Sequence, residues 1–144
     1  MSEAGTIRRA VSDDLATIAA VVNAWIDATQ WMPRTQPEEA IEQHIREAFP
    51  KREIWVSGDP IDAYLSLDPE KNWIGALYCA NPGRGTGQAL LNQAKAGRTF
   101  LTLKTHAPNE AAHRFYRREG FAEVDRLQPE PPETVEEIVM EWRA

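Results

Sequence analysis

The residues best suited to chemistry lie in the stretch from Leu77 to Leu91, LYCANPGRGTGQALL. Gly83, Gly85 and Gly87 fall within five positions of one another. Glycine in such a cluster permits positive φ and lets backbone approach a ligand with no Cβ in the way. An apolar run, Trp73 to Cys79, leads into the cluster and reads as a strand buried on both faces. From Gln88 to Ala96 good helix formers take over. A chain that turns from strand into helix in this way aims free N–H groups and the positive end of the helix dipole at one point. An anion is therefore expected there. A nucleotide P-loop is excluded, because Gln88-Ala89 follow Gly87 where a lysine and a hydroxyl are required. A dinucleotide fingerprint is excluded as well, since Gln88 and Leu90 stand where its third glycine would.

A second group follows at Asn109, Ala112, Phe115, Tyr116, Gly120 and Phe121. Ala112, Phe115, Tyr116 and Glu119 share one helical stripe, so on spacing alone Tyr116 reads as a core aromatic. Cys79 sits in an apolar strand with no histidine in its local motif, which argues against a nucleophilic thiolate. As general bases, Asp27, Asp62, Asp68 and His106 are all open on the sequence, and so is a chain of water to bulk solvent.

The elements that must position these groups follow from periodicity. Thr6 to Val11 reads as a short strand. Ser12 is placed to cap a helix running to Ala28, with Leu15, Ile18, Ala19, Val22, Trp25 and Ile26 inward. Thr35-Gln36-Pro37-Glu38 reads as a capping box for a second helix ending at Pro50. The period then becomes two, giving strands at Glu53–Ser57 and Ile61–Leu67 joined through Gly58-Asp59-Pro60. After the glycine turn and its helix, Thr99 to Lys104 is a strand parallel to the Trp73–Cys79 strand. Asn109 to Glu119 is a helix capped by Asn109 and stopped at Gly120, and strands follow at Phe121–Val124 and Val135–Trp142. The sum is α/β: one mixed, mostly antiparallel sheet with a central parallel pair and helices on both faces.

The 144 residues fit a single domain, 1–144. A net charge of −6 argues against general nucleic-acid binding. Between Gly83 and Arg118, however, seven Lys/Arg face one acid, Glu110. Such a local basic block on an acidic protein suits a small polyanion. One cysteine excludes an internal disulfide and a Cys-rich metal site, and no metal is expected. The N-terminus has no apolar signal core and no stretch is long enough to span a bilayer, so a cytoplasmic enzyme is the default.

Arg84-x-x-Gly87-x-Ala89 resembles the Arg/Gln-x-x-Gly-x-Gly/Ala signature of the GNAT acyl-CoA-dependent N-acetyltransferases, and the Asn109–Phe121 group resembles that superfamily's other hallmark. The two occur in the correct order, and the element order resembles a GNAT fold over nearly the full chain. One departure is Asn81, where relatives usually carry proline; Pro82 stands one place late.

The resemblance implies that Arg84, Gly85, Thr86, Gly87, Gln88 and Ala89 cradle the pyrophosphate of acetyl-CoA. It implies that backbone groups of Leu77 and Cys79 bond the pantetheine arm and thioester carbonyl, and that the Asn109 side chain touches the pantetheine. Tyr116 matches the general acid that protonates the departing thiolate. An acceptor site built from Trp31, Met32, Arg34 and His106 is implied, with Thr105 and the final loop beside it. The expected activity is direct transfer of acetyl from acetyl-CoA to an amine of a small molecule or peptide. The alternative is a non-catalytic acyl-CoA-binding module. A homodimer is compatible with the resemblance; nucleic acid and membrane are not expected partners.

Overall fold

The computed structural model describes residues 6–144. In chain order the elements are β1 (Ile7–Arg9), α1 (Leu15–Ala28), α2 (Glu38–Ala48), β2 (Glu53–Gly58), β3 (Ile61–Asp68) and β4 (Trp73–Cys79). They continue with α3 (Thr86–Lys95), β5 (Phe100–His106), α4 (Glu110–Arg118), β6 (Ala122–Leu127) and β7 (Glu137–Arg143). The seven strands form one sheet in the order β1-β2-β3-β4-β5-β7-β6. Only β4 and β5 run parallel, joined by the crossover through α3; every other neighbouring pair is antiparallel. The expected α/β architecture is therefore present.

Two apolar clusters hold the helices to the sheet, one on each face. Leu90, Leu91 and Ala94 of α3 and Tyr116 of α4 pack with Leu65, Leu67, Leu101, Leu103 and Met140. Leu15, Ile18 and Val22 of α1 pack on the other face with Ile54, Val56 and Tyr64, and Ile41 and Ile45 of α2 complete that layer. Leu65, Leu90, Leu91, Leu101 and Met140 have no exposed surface. Truncating any one of them to alanine costs about 2–5 kcal/mol.

Two of the three expected helix N-caps differ from the sequence reading; only the Asn109 cap forms as expected. The Asp14 carboxylate, rather than Ser12, secures the entry to α1: it accepts the Val11 N–H at 2.8 Å and pairs with Arg8 at 2.8 Å. That charge-assisted contact closes the turn from its far end, with the Asp14 N–H given back to the Val11 carbonyl at 2.9 Å. The capping box at α2 does not form. The helix starts at Glu38 with Pro37 at its cap, and the Thr35 hydroxyl donates instead to Glu133 at 3.0 Å. That bond ties the α1–α2 connection to the loop before β7.

The largest departure is in β4. Ile74 opposes Leu67 and Ala76 opposes Ser66, so Gly75 is an extra, bulged residue. The bulge inverts the alternation, placing Leu77 and Cys79 on the same face as Ile74. It also ends the pairing with β5, which holds only at Trp73↔Thr102 and Ile74↔Leu103. Beyond that point the parallel strands separate. Consequently only Ile74 of β4 is buried, and the expectation of a strand buried on both faces is corrected: its second half lines a gap in the sheet.

Candidate active site

The gap between β4 and β5 is the centre of the site. It is a cavity of about 200 Å³ lined by β4 from Trp73 to Cys79, by Lys104, Thr105 and His106 of β5, and by Trp25, Tyr116 and Glu137 among others. On the α3/α4 face it opens into a cleft of about 610 Å³ bounded by Gly83, Gly85, Gly87, Gln88, Asn109 and Tyr116.

The glycine turn forms one end of this cleft. Gly83 and Gly85 have φ of 88° and 79°, with nothing within 4 Å of where a Cβ would stand. These angles are the reason for glycine there. The first helical bond of α3 runs from the Ala89 N–H to the Gly85 carbonyl at 3.0 Å. The N–H groups of Thr86, Gly87 and Gln88 are left without helical partners, no side chain caps them, and no acid lies in that turn. An anion fits this cradle. Gly87 differs from its neighbours: a Cβ there would meet Phe115 Cζ at 3.4 Å and Cys79 Sγ at 3.7 Å. Its smallness lets α3 lie against Phe115 of α4 and Cys79 of β4. Asn81, in place of proline, donates to Asp62 at 3.0 Å and anchors the start of the loop, while Pro82 lines the cleft.

The middle of the cleft offers unpaired backbone. The Ala80 N–H donates to the Asp62 carbonyl at 2.8 Å, so residues 80, 78 and 76 turn their backbone groups towards β3. Those of Leu77 and Cys79 point the other way, into the gap that β5 has vacated. Asn109 caps α4, its side-chain oxygen accepting the Ala112 N–H at 3.2 Å. The side-chain amide nitrogen is left for the cleft, which Asn109 lines.

Tyr116 stands where cleft and gap meet, lining both. Its ring packs against Phe115 and Phe121 at 5.3 and 5.6 Å, and the residue is 8% exposed. Burial, with lesser contributions from Cys79 and Tyr78, raises the phenol above its ordinary range, so it stays protonated well past neutrality. Cys79 beside it is likewise held protonated, its thiol pushed up to about 11 by burial and the nearby Asp62 carboxylate. A thiol in that state is a poor nucleophile.

The expected acceptor residues divide. His106 lines the gap, and Trp31 lies against it at 5.6 Å. Arg34 is used structurally, bonding Asn23 at 2.8 Å, Asp27 at 2.9 Å and the Gln36 carbonyl at 3.2 Å. It tacks the connection onto α1 and does not line the gap. Met32, half-buried in the same connection, does not line it either. Trp25, assigned by periodicity to the inward face of α1, lines both spaces and touches Trp31, Tyr78 and His106. Periodicity cannot distinguish a core position from one facing a gap in the sheet.

All three carboxylates that the sequence left open as bases are engaged elsewhere. Asp27 pairs with Arg34, Asp62 holds Asn81, and Asp68 accepts the Glu70 and Lys71 N–H groups at a turn. The basic block also disperses. Arg98 pairs with Glu53 at 2.9 Å and Lys95 donates to the Glu119 carbonyl at 2.6 Å. Arg118 remains at the cleft, Lys104 lines the gap, and Arg84 is exposed on the turn itself. Among the described residues no group of three His, Cys, Asp or Glu side chains is placed to hold a metal ion, and no helix is long and apolar enough to cross a membrane.

No family model and no curated protein matches this sequence. Its architecture is nevertheless that of solved acetyltransferases. A GCN5-related N-acetyltransferase from Rhodopseudomonas palustris superposes with a TM-score of 0.78 at 19% identity, covering 100% of this chain and 98% of that one. A ribosomal-protein-alanine N-acetyltransferase from Brucella melitensis gives 0.71 at 20% identity, covering 96% and 99%. A GNAT superfamily phosphinothricin acetyltransferase from Sinorhizobium meliloti, in complex with acetyl-CoA, gives 0.72 at 15% identity, covering 99% and 89%. The fold is the GNAT acetyltransferase fold.

Proposed function

We propose that this chain, built on the GNAT fold, is an acetyltransferase that moves acetyl from acetyl-CoA directly onto an amine of a small molecule or peptide. One observation carries the proposal: an anion cradle, an unpaired strand edge and a buried, protonated phenol open onto one continuous cleft. The complex of the Sinorhizobium enzyme with acetyl-CoA supports the choice of donor, and the name of the Brucella enzyme supports an amine acceptor.

Acetyl-CoA, when bound, supplies a thioester whose carbonyl carbon is open to attack and whose sulfur leaves as a thiolate. The residues of the chain fit the remaining tasks. N–H groups of residues 83–88, with the Arg84 side chain beside them, hold the pyrophosphate at the positive end of α3. Leu77 and Cys79 offer strand-like backbone partners to the amides of the pantetheine arm. The Asn109 amide nitrogen adds a side-chain donor. Tyr116 hands its proton to the sulfur, a role that requires a phenol still protonated at neutral pH. Cys79 forms no covalent intermediate.

Titration calorimetry with acetyl-CoA, followed by a thiol-release assay over an amine panel with mass detection of the acetylated product, tests the proposal. Binding together with product formation is expected. Binding with no product from any amine identifies a non-catalytic acyl-CoA-binding module. Absence of binding removes the proposal.

A further inference from the structure

His106 occupies the far side of the gap from the cradle, at the end of β5, and its position is fixed from several directions. Its carbonyl accepts two bonds, from the Asn109 N–H at 3.0 Å and from Nε2 of the buried His113 at 3.0 Å. The imidazole stacks on Trp25 with ring centroids 6.2 Å apart and planes at 25°, and Trp31 closes against it at 5.6 Å. Trp25 in turn meets Tyr78 edge-on at 5.3 Å. The ring is thus held against an aromatic wall, half-buried, in the same 200 Å³ space as the Tyr116 phenol.

We propose that His106 takes the proton from the acceptor's ammonium, and that Trp25 and Tyr78 form the wall against which the acceptor's apolar body rests. The inference rests on the acetyl-transfer proposal above and adds the acceptor side of that site. The charged and titratable groups around His106 are Glu137 on β7, Glu133 in the loop before it, Lys104 on β5, Tyr78 and Cys79 on β4, and His113 and Tyr116 on α4. Burial lowers the affinity of the imidazole for a proton, and this outweighs the opposing pull of Glu137 and Glu133. The ring is therefore neutral at neutral pH and able to accept a proton. The two carboxylates attract a cation to the mouth of the gap. Of the rival bases, Asp27 and Asp68 are engaged away from it, and Asp62, close to Cys79, is held by the Asn81 amide.

The protons balance. An ammonium brings three hydrogens on nitrogen and the amide keeps one. The first passes to the imidazole and from there to solvent. The second replaces, on Tyr116, the proton that the phenol gives to sulfur. The C–N bond forms as the C–S bond breaks, and nothing is oxidised or reduced.

The test compares wild type with His106→Gln and His106→Ala, using acetyl-CoA and primary amines from methylamine to 2-phenylethylamine. Acetyl-CoA affinity is expected to hold in both variants, because His106 lies outside the cradle. For the amines, kcat/KM should fall by roughly 10²- to 10³-fold near neutrality. The acid limb that the imidazole imposes on the wild-type pH profile should vanish, leaving a rise with pH towards the amine's own ionisation. Exogenous imidazole should restore turnover to His106→Ala, which a merely structural histidine would not allow. Variants that keep kcat/KM and the same acid limb, with no response to imidazole, would overturn the proposal and assign the proton to water. Failure of wild type to bind acetyl-CoA would instead defeat the acetyl-transfer proposal, so the two failures are distinguishable.

Discussion

Ile74 and Leu103 form the last rung that joins β4 to β5, and the residue after Ile74 is the bulged Gly75. The site depends on that juxtaposition. A regular β4 would continue pairing with β5 and satisfy the outward backbone groups of Leu77 and Cys79 within the sheet. The bulge leaves them free and opens the space between Tyr116 and His106.

The cradle predicts a contrast between two glycines. Gly85 has φ of 79° with open space at its Cβ position. Gly85→Ala therefore introduces about 1–2 kcal/mol of left-handed strain, and the turn should relax away from the geometry that aims its N–H groups. Acetyl-CoA affinity should fall about tenfold, or about 1.4 kcal/mol, by calorimetry. Gly87→Ala adds a methyl group that just touches Phe115, inside a helix that favours alanine. Its affinity should change little. The reverse ranking would place the anion elsewhere.

Cys79 yields a prediction with a definite pH sign. Burial and the Asp62 carboxylate push its thiol up to about 11 in the folded chain, from about 9 for the free group. Between those values the unfolded chain releases a proton that the folded chain retains, so stability is lost as pH rises through that window. Cys79→Ala should flatten the loss in denaturant melts taken from pH about 8 to about 11, while the raised phenols of Tyr64, Tyr78 and Tyr116 keep a residual slope at the top of that range. Turnover should survive the substitution. An acetylated Cys79 detected by mass spectrometry would replace direct transfer with a two-step route.

Arg34, an acceptor residue by its place in the sequence, has contacts that give it a different task. Its ion pair with Asp27 is exposed on the carboxylate side, so Arg34→Ala should cost at most about 1 kcal/mol. Acetyl-CoA affinity and the pH profile should be unchanged by calorimetry and initial-rate assays. A selective loss of acceptor binding, with stability intact, would return Arg34 to the site.

Where a single local rule governs, the sequence was readable. The strand–turn–helix around Gly85, the Asn109 cap and the left-handed Gly120 all appear as the residues require. What the sequence hid is tertiary. Gly75 is the type of residue that marks a bulge, yet in an apolar run it is equally consistent with a regular buried strand. At the entry to α1 the Asp14 carboxylate, held by Arg8, closes the turn on the Val11 N–H in place of a Ser12 cap, and the Thr35 hydroxyl is drawn to Glu133, 98 residues away. Trp25 was assigned to the core and faces the gap. The basic block shared a stretch of sequence without sharing a surface, since Arg98 and Lys95 are engaged by Glu53 and by the Glu119 carbonyl.

Tyr116 is the proposed proton donor to the departing sulfur, and Tyr116→Phe tests that role most directly. The substitution removes one oxygen and keeps the ring that packs on Phe115 and Phe121. The melting temperature and acetyl-CoA affinity should stay close to wild type. With an amine that wild type acetylates, kcat should fall by roughly 10²- to 10⁴-fold, while KM for acetyl-CoA changes far less. Because burial raises the phenol, the wild-type rate should show no loss attributable to Tyr116 ionisation up to its ordinary value of about 10. A kcat within a few-fold of wild type would contradict the account and reduce Tyr116 to a packing aromatic.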